Sequence, residues 1–237
     1  MNTDKDSILF KRATKPIYNI TPFTLLDYPD KTACILWFAG CNMRCGYCYN
    51  PEIVKGKGNF LLSDALKFIE SRKELLDGVV FSGGECTLHH DILWLADSIK
   101  SLGMSVKIDT NGSRPLVLKT LIVEKLVDYI SLDFKSLKSS YGTITGSMFY
   151  HEFEETLELL IRSKIEFEVR TTIHSELIPE PAIQTMVSYL NLKGYTGTYY
   201  LQHFVDESPT LEDLPPSDKT KVQKDYSQSG LEVVWRN

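Results

Sequence analysis

From residue 32 onward the chain alternates short apolar runs with amphipathic stretches of helical length, and this alternation constrains its fold more than any other feature. The apolar runs fall at 32–38, 78–82, 105–109, 129–133, 166–173 and 198–204. Between them, helical periodicity predicts helices at 63–76, 91–102, 115–126, 151–163 and 180–191, with Ser63 placed to cap the first. Strands separated by helices of this length predict a parallel sheet with right-handed crossovers. Six such strands are two short of a closed barrel. The expected fold class is therefore α/β, an open, partial (β/α)6 TIM-like barrel. Residues 17–20 and 23–26 predict a small hairpin ahead of it. The Pro- and acid-rich stretch 206–221 predicts a loop over the surface or mouth, followed by a short helix and a strand at 231–235. No linker or repeat interrupts the pattern. Residues 1–237 read as one domain, with a core of about 30–205 and a C-terminal extension over 206–237.

In a parallel α/β fold, chemistry collects where strands end and loops begin. The first strand leads into Cys41-Asn-Met-Arg-Cys45-Gly-Tyr-Cys48, and the second ends in Ser82-Gly83-Gly84-Glu85. The third ends in Asp109-Thr110-Asn111-Gly112, the fourth in Asp133-Phe134-Lys135, and the sixth in Gln202-His203-Phe204. Each has a bland reading on its own. Gly-Gly-Glu and Asp-Thr-Asn-Gly are ordinary turns, Asp133 with Lys135 is an exposed pair worth little, and His203 is a half-buried histidine. Their recurrence at one edge of the sheet is what singles them out.

Three thiolates on one loop can hold three corners of an iron–sulfur cube, whose usual complement is four cysteines. That leaves one iron open for chemistry. A structural zinc site completed by a histidine or Cys34 fits the spacing as well, and a zinc-stabilised binding module without catalysis follows from it.

Composition narrows the partners. Five cysteines, three of them in one loop, read as metal ligation and not as a disulfide framework. Cys34 and Cys86 are expected in the core. A net charge of −5 without a basic block argues against nucleic acid. No apolar stretch approaches the ~20 residues that span a bilayer. The polar start Met1-Asn-Thr-Asp-Lys-Asp-Ser7 lacks the apolar core of a signal peptide, so a cytoplasmic location is expected. His89 and His90 read as a solvated helix start. His174, at the end of the fifth strand, is a weaker site candidate.

Cys41-x3-Cys45-x-Tyr47-Cys48 followed by Gly83-Gly84-Glu85 resembles the radical S-adenosylmethionine (SAM) superfamily. Gly40-Cys-Asn-Met-Arg-Cys-Gly-Tyr-Cys-Tyr-Asn50, Asp109-Thr-Asn-Gly112 and Asp133-x-Lys135 are similar to the glycyl-radical-enzyme activases within it. That group includes pyruvate formate-lyase activating enzyme and the activating protein of anaerobic ribonucleotide reductase. The lead-in Thr21-Pro-Phe-Thr-Leu-Leu-Asp-Tyr-Pro29 is most like the latter.

The resemblance implies that Cys41, Cys45 and Cys48 ligate a [4Fe–4S] cluster whose open iron is chelated by SAM, with Tyr47 beside the adenine. It implies that Gly83 and Gly84 admit the methionine end, with Glu85 positioning the amino group or bracing the turn. Lys135 would meet the SAM carboxylate, and Asn111 and His203 would face the ribose. Asp109, Thr110 and Asp133 resemble the ligands of a monovalent cation. The implied partners are a glycyl radical enzyme and a flavodoxin- or ferredoxin-type electron donor, and the implied reaction is hydrogen abstraction from a glycine. A radical SAM enzyme acting on a small molecule or nucleoside would use the same residues. Proline is frequent in relatives where Cys86 stands. The stretch between Cys48 and Gly83 is too short for an inserted ferredoxin-like domain.

Overall fold

The computed structural model describes residues 15–228 and 230–236; the polar start at Met1 to Ser7 lies outside them. One eight-stranded sheet runs in chain order through β1 Ile17–Thr24, β2 Ala33–Phe38, β3 Gly78–Gly83, β4 Ser105–Thr110, β5 Tyr129–Asp133, β6 Glu166–Ile173, β7 Thr198–His203 and β8 Glu232–Arg236. β1 pairs antiparallel with β2, and every later neighbour pairs parallel. The helices are α1 Pro51–Lys55, α2 Leu62–Glu70, α3 Ile92–Ser101, α4 Pro115–Val123, α5 Lys138–Thr145, α6 Tyr150–Arg162 and α7 Glu180–Leu192. β1 and β8 are the sheet edges, so the barrel is open, as the alternation predicts.

Side-chain alternation along β4 to β7 divides the sheet into two faces. Val106, Ile108, Ile130, Leu132, Val169, Tyr199 and Leu201 are buried in the apolar cluster with helix residues such as Leu118, Phe153 and Ile183. The alternate positions carry Lys107, Asp109, Ser131, Asp133, Glu168, Arg170, Tyr200 and Gln202. Arg170 of β6 reaches Asp109 of β4 past the intervening β5, at 3.2 Å. Arg236 of β8 likewise reaches Glu168 of β6 past β7, at 3.1 Å. From β4 to β8 the inner face is thus polar and cross-linked by charge, while Ile35 and Val80, in register with Lys107, form a small apolar cluster on β2 and β3.

Several local expectations change. The predicted hairpin is a single strand, β1, whose register slips between Thr21 and Thr24. Pro22 is tolerated there because β1 is an edge strand with no second neighbour requiring its N–H. Helix α2 is shorter than 63–76. Leu61, not Ser63, holds the cap position, with its N–H donating to Asp64 at 3.1 Å. The helix stops where the Ser71 hydroxyl donates to the Phe68 carbonyl at 2.7 Å, a local bond that competes with the helical ladder. Helix α5 has no counterpart in the sequence reading. Its Ser-, Thr- and Gly-containing stretch is held by burial of Tyr141 and Ile144 and ends at Gly146 with φ +59°. The final short helix is a 3₁₀ turn, Lys219–Lys221, and β8 extends the parallel set beside β7. Among the described residues no helix is long and apolar enough to cross a membrane.

Candidate active site at the strand ends

β2 delivers the chain to Gly40, whose φ of +85° only glycine adopts without strain, and so into the cysteine loop. Backbone bonds fix that loop from four directions. The Gly40 N–H donates to Ile53 at 2.9 Å, and the Gly40 carbonyl accepts from Glu85 N–H at 2.9 Å. Arg44 N–H donates to Thr145 at 2.7 Å, while the Gly46 carbonyl accepts from Glu212 N–H at 3.0 Å. The Arg44 guanidinium closes the first turn on the carbonyls of Cys41 and Met43, both at 2.7 Å.

Cys45 and Tyr47 are buried, and Cys41 and Cys48 half-buried; all five cysteines are free. Burial pushes the Cys41 thiol up to about 12 and raises that of Cys45. Such thiols ionise by binding a metal, not by meeting water. Among the described residues, no three His, Cys, Asp or Glu side chains are grouped to hold one metal ion. A cube takes one thiolate per iron, whereas a zinc tetrahedron draws four ligands onto one ion.

Gly83 and Gly84 serve the cysteine loop directly. A Cβ on Gly84 would stand 1.9 Å from the Gly40 carbonyl oxygen, and one on Gly83, at φ +113°, 2.5 Å from Phe38 backbone. Gly84→Ala is expected to cost on the order of 3 kcal/mol through backbone overpacking and to lower iron incorporation. Urea denaturation and iron analysis check both; a stable, iron-replete variant would contradict the close approach.

Glu85 is completely buried. Its carboxylate accepts from Thr87 Oγ1 at 2.5 Å, Thr87 N–H at 3.1 Å, Thr110 Oγ1 at 2.9 Å and Asn111 N–H at 2.7 Å. Burial raises its pKa against these donors. Of the two roles the resemblance allows, the geometry gives Glu85 the brace. Asn111 in turn donates to Asn42 Oδ1 at 3.0 Å and lies 3.9 Å from Cys41 Sγ, tying the end of β4 to the cysteine loop.

Charges form a ladder along the inner face. Asp109 contacts Lys107 Nζ, Arg170 Nη2 at 3.2 Å and Ser82 Oγ at 3.0 Å. Asp133 accepts from Arg170 Nε at 2.6 Å and Lys135 Nζ at 2.9 Å. Burial alone would raise both carboxyls; Arg170 and Lys107 outweigh it and hold Asp109 at about 2, and Arg170 and Lys135 lower Asp133. Burial opposes the charge on Lys135 too, but Asp133 and its other neighbours keep its pKa well above the usual value. Its ammonium also lies 6.0 Å from the centre of the Tyr47 ring. The Tyr47 hydroxyl is buried without a hydrogen-bond partner among the described residues.

Cysteine loop, Gly-Gly-Glu turn, Asp109, Asn111, Asp133 and Lys135 thus share one edge of the sheet. His203 does not join them. Ile173 pairs with His203 while Thr172 pairs with Gln202, so Gln202 alternates onto the inner face and His203 onto the helix-covered one. There its ring stacks on Trp235 at 4.3 Å and 13°. Thr110 also points away from Asp109, to Glu85. Cys34 and Cys86 lie in the core, as expected. His89 packs on Phe38 and contacts the Ala39 carbonyl, His90 pairs with Asp91, and His174 bonds the Pro215 carbonyl. None of the three histidines reaches the ladder. Sequence reasoning missed Arg170 and Lys107. Their one signal was a cation on the inward parity of its strand, two residues from a carboxylate of the same parity, Asp109 for Lys107 and Glu168 for Arg170.

Residues 35–186 match the family model of the radical SAM superfamily. The chain belongs to the radical SAM superfamily. It is accordingly an enzyme of the kind that uses a [4Fe–4S] cluster and SAM, and three free thiols on one loop beside a cation-rich wall fit both groups. Its relatives place this radical SAM chain with the glycyl-radical-enzyme activases. A Methanocaldococcus jannaschii protein named as a glycyl-radical enzyme activating enzyme is 30% identical over 71% of this chain and 72% of its own length. Pyruvate formate-lyase-activating enzyme of Clostridium pasteurianum is 31% identical over 55% of this chain and 57% of its own. Among solved structures, Streptococcus suis SuiB superposes with a TM-score of 0.65 at 12% identity, covering 84% of this chain and 47% of that one. That likeness concerns the fold.

Proposed function

We propose that the chain, acting as one domain, activates a glycyl-radical enzyme, with anaerobic ribonucleotide reductase the first candidate: one electron from a flavodoxin- or ferredoxin-type donor, passed through the [4Fe–4S] cluster, cleaves SAM to methionine and a 5′-deoxyadenosyl radical that takes a hydrogen atom from a glycine Cα of the partner. The observation that carries this reading is the juxtaposition of the three-cysteine loop with the Lys107–Asp109–Arg170–Asp133–Lys135 ladder at one sheet edge. Similarity to activating enzymes supports the macromolecular substrate.

Cys41, Cys45 and Cys48 hold the cluster, and Arg44 fixes the shape of their loop. Three cationic side chains against two carboxylates leave the ladder one positive charge in surplus, which suits the carboxylate of an amino acid. Lys135 meets that carboxylate with the donors Asp133 does not use. Tyr47 offers a buried ring face and a free hydroxyl beside it. Gly83, Gly84 and Glu85 hold the wall against which the ligand lies. The open edge between β1 and β8 leaves room for a partner's loop.

Lys135→Ala removes one charged hydrogen bond, and SAM affinity should fall by about 10- to 150-fold, from about 1.5–3 kcal/mol, with iron content unchanged. Unchanged affinity would remove Lys135 from the site. The activity itself is tested by mixing the reconstituted protein with anaerobic ribonucleotide reductase, reductant and SAM. A glycyl-radical EPR doublet is expected. SAM cleavage without a doublet on that or any other glycyl-radical enzyme would favour a small-molecule substrate.

A further inference from the structure

The resemblance makes Asp109, Thr110 and Asp133 ligands of a monovalent cation, but their side chains do not converge on an ion. Asp109 Oδ1 contacts Lys107 Nζ, and Oδ2 is shared by Ser82 Oγ at 3.0 Å and Arg170 at 3.2 Å. Asp133 Oδ1 is taken by Arg170 Nε at 2.6 Å and Oδ2 by Lys135 at 2.9 Å. Thr110 Oγ1 lies on the other face of β4, donating to Glu85 and accepting from Gly112 N–H at 3.1 Å. Every carboxylate oxygen of the pair is already occupied by a cationic or hydroxyl group of the chain itself.

Lys107 is the unusual member. Its side chain is 3% exposed, and its ammonium has Asp109 as its one carboxylate within ion-pair reach among the described residues, with the Tyr129 ring 6.0 Å away. An ion seated on Asp109 would have to displace this ammonium and leave it buried without its counter-charge, a strongly unfavourable state. It would also add positive charge where three cations already face two carboxylates.

We infer that Lys107 is a built-in replacement for the monovalent cation: its ammonium, fixed two residues before Asp109 on the same face of β4, supplies that charge and makes the site independent of K⁺ and Na⁺. Lys107 is in this sense a positioning residue. It holds Asp109 against Arg170, and Arg170 holds Asp133 and through it Lys135. The consequence for SAM rests on the function proposed above; the consequence for the empty protein does not.

The test compares KCl, NaCl and choline chloride at equal ionic strength, reading the melting temperature of the protein without SAM and the SAM affinity of the reconstituted protein. For the wild type, equal melting temperatures are expected, and SAM affinities within about twofold. Lys107→Gln frees one carboxylate oxygen and removes the charge. This variant should melt higher in K⁺ or Na⁺ than in choline, and its SAM affinity should become cation-dependent by about tenfold. Higher melting, or markedly tighter SAM binding, of the wild type in K⁺ or Na⁺ overturns the inference. So does a folded Lys107→Gln protein indifferent to the cation. Should Lys107→Gln not fold, the wild-type comparison decides alone. Equal melting in all salts with no SAM binding in any would support the built-in cation and sink the proposed function.

Discussion

Cys45→Ala is expected to lose the cluster and, with it, all cleavage of SAM, while the fold survives. Cys45 sits at the centre of the cysteine triple, 6% exposed. None of the bonds that shape its loop passes through its sulfur. Gly40, Arg44 and Gly46 are anchored through backbone to Ile53, Glu85, Thr145 and Glu212, and Cys48 N–H donates to the Cys45 carbonyl at 3.0 Å. Alanine keeps every one of these. The structural loss is a single buried sulfur, about 1–2 kcal/mol on the scale of small core truncations. The chemical loss is complete, because two thiolates cannot replace three in holding a cube that already lacks a fourth. Iron content after anaerobic reconstitution, visible absorption and 5′-deoxyadenosine formation read the effect, with urea denaturation as the control. A Cys45→Ala protein that still cleaves SAM contradicts the cluster assignment.

Arg170→Ala should be the most damaging change on the inner face. Arg170 spans Asp109 and Asp133, both deeply set, so truncation strips a partner from two carboxylates at once. Breaking a buried pair by removing one member costs about 3–5 kcal/mol, and the loss should appear at pH 7 as a lowered urea midpoint. The acid profile supplies a second readout. Asp109 has its ordinary value of 3.8 depressed to about 2 in the fold. Its contribution is fully present above the ordinary value and disappears as pH falls through about 2. Without Arg170 the depression shrinks, leaving burial and Lys107 as the main opposing influences. The variant should then gain less stability from Asp109 across pH 2–4 than the wild type does. A cost under about 1 kcal/mol, or an unchanged acid profile, would show that the ladder does not hold the inner face together.

The order of strands and helices was legible because hydrophobic periodicity reports burial, and burial is what an α/β sheet imposes on every strand. The cysteine loop was legible because three soft ligands at close spacing have few other uses. Gly83 and Gly84 were found for a partly different reason from the one the structure gives, since their close approach is to the backbone of Phe38, Gly40 and Cys41. The face of a strand end was harder. His203 and Gln202 are neighbours in sequence, and one residue of register decides which of them looks inward. Arg170 was hard to find because its meaning lies in cross-strand pairing with Asp133 and Asp109, and Lys107 because its partner Asp109, two residues on along β4, acquires its role only once Arg170 is placed beside it. Helix α5 was missed because Ser, Thr and Gly are weak helix formers; its burial, not its propensity, holds it.

The most direct test is to reconstitute the protein anaerobically, reduce it, add SAM, and measure metal content together with 5′-deoxyadenosine and methionine. About four irons per chain, with the two products formed in equal amounts, is the predicted result. One zinc, no iron and intact SAM would contradict it.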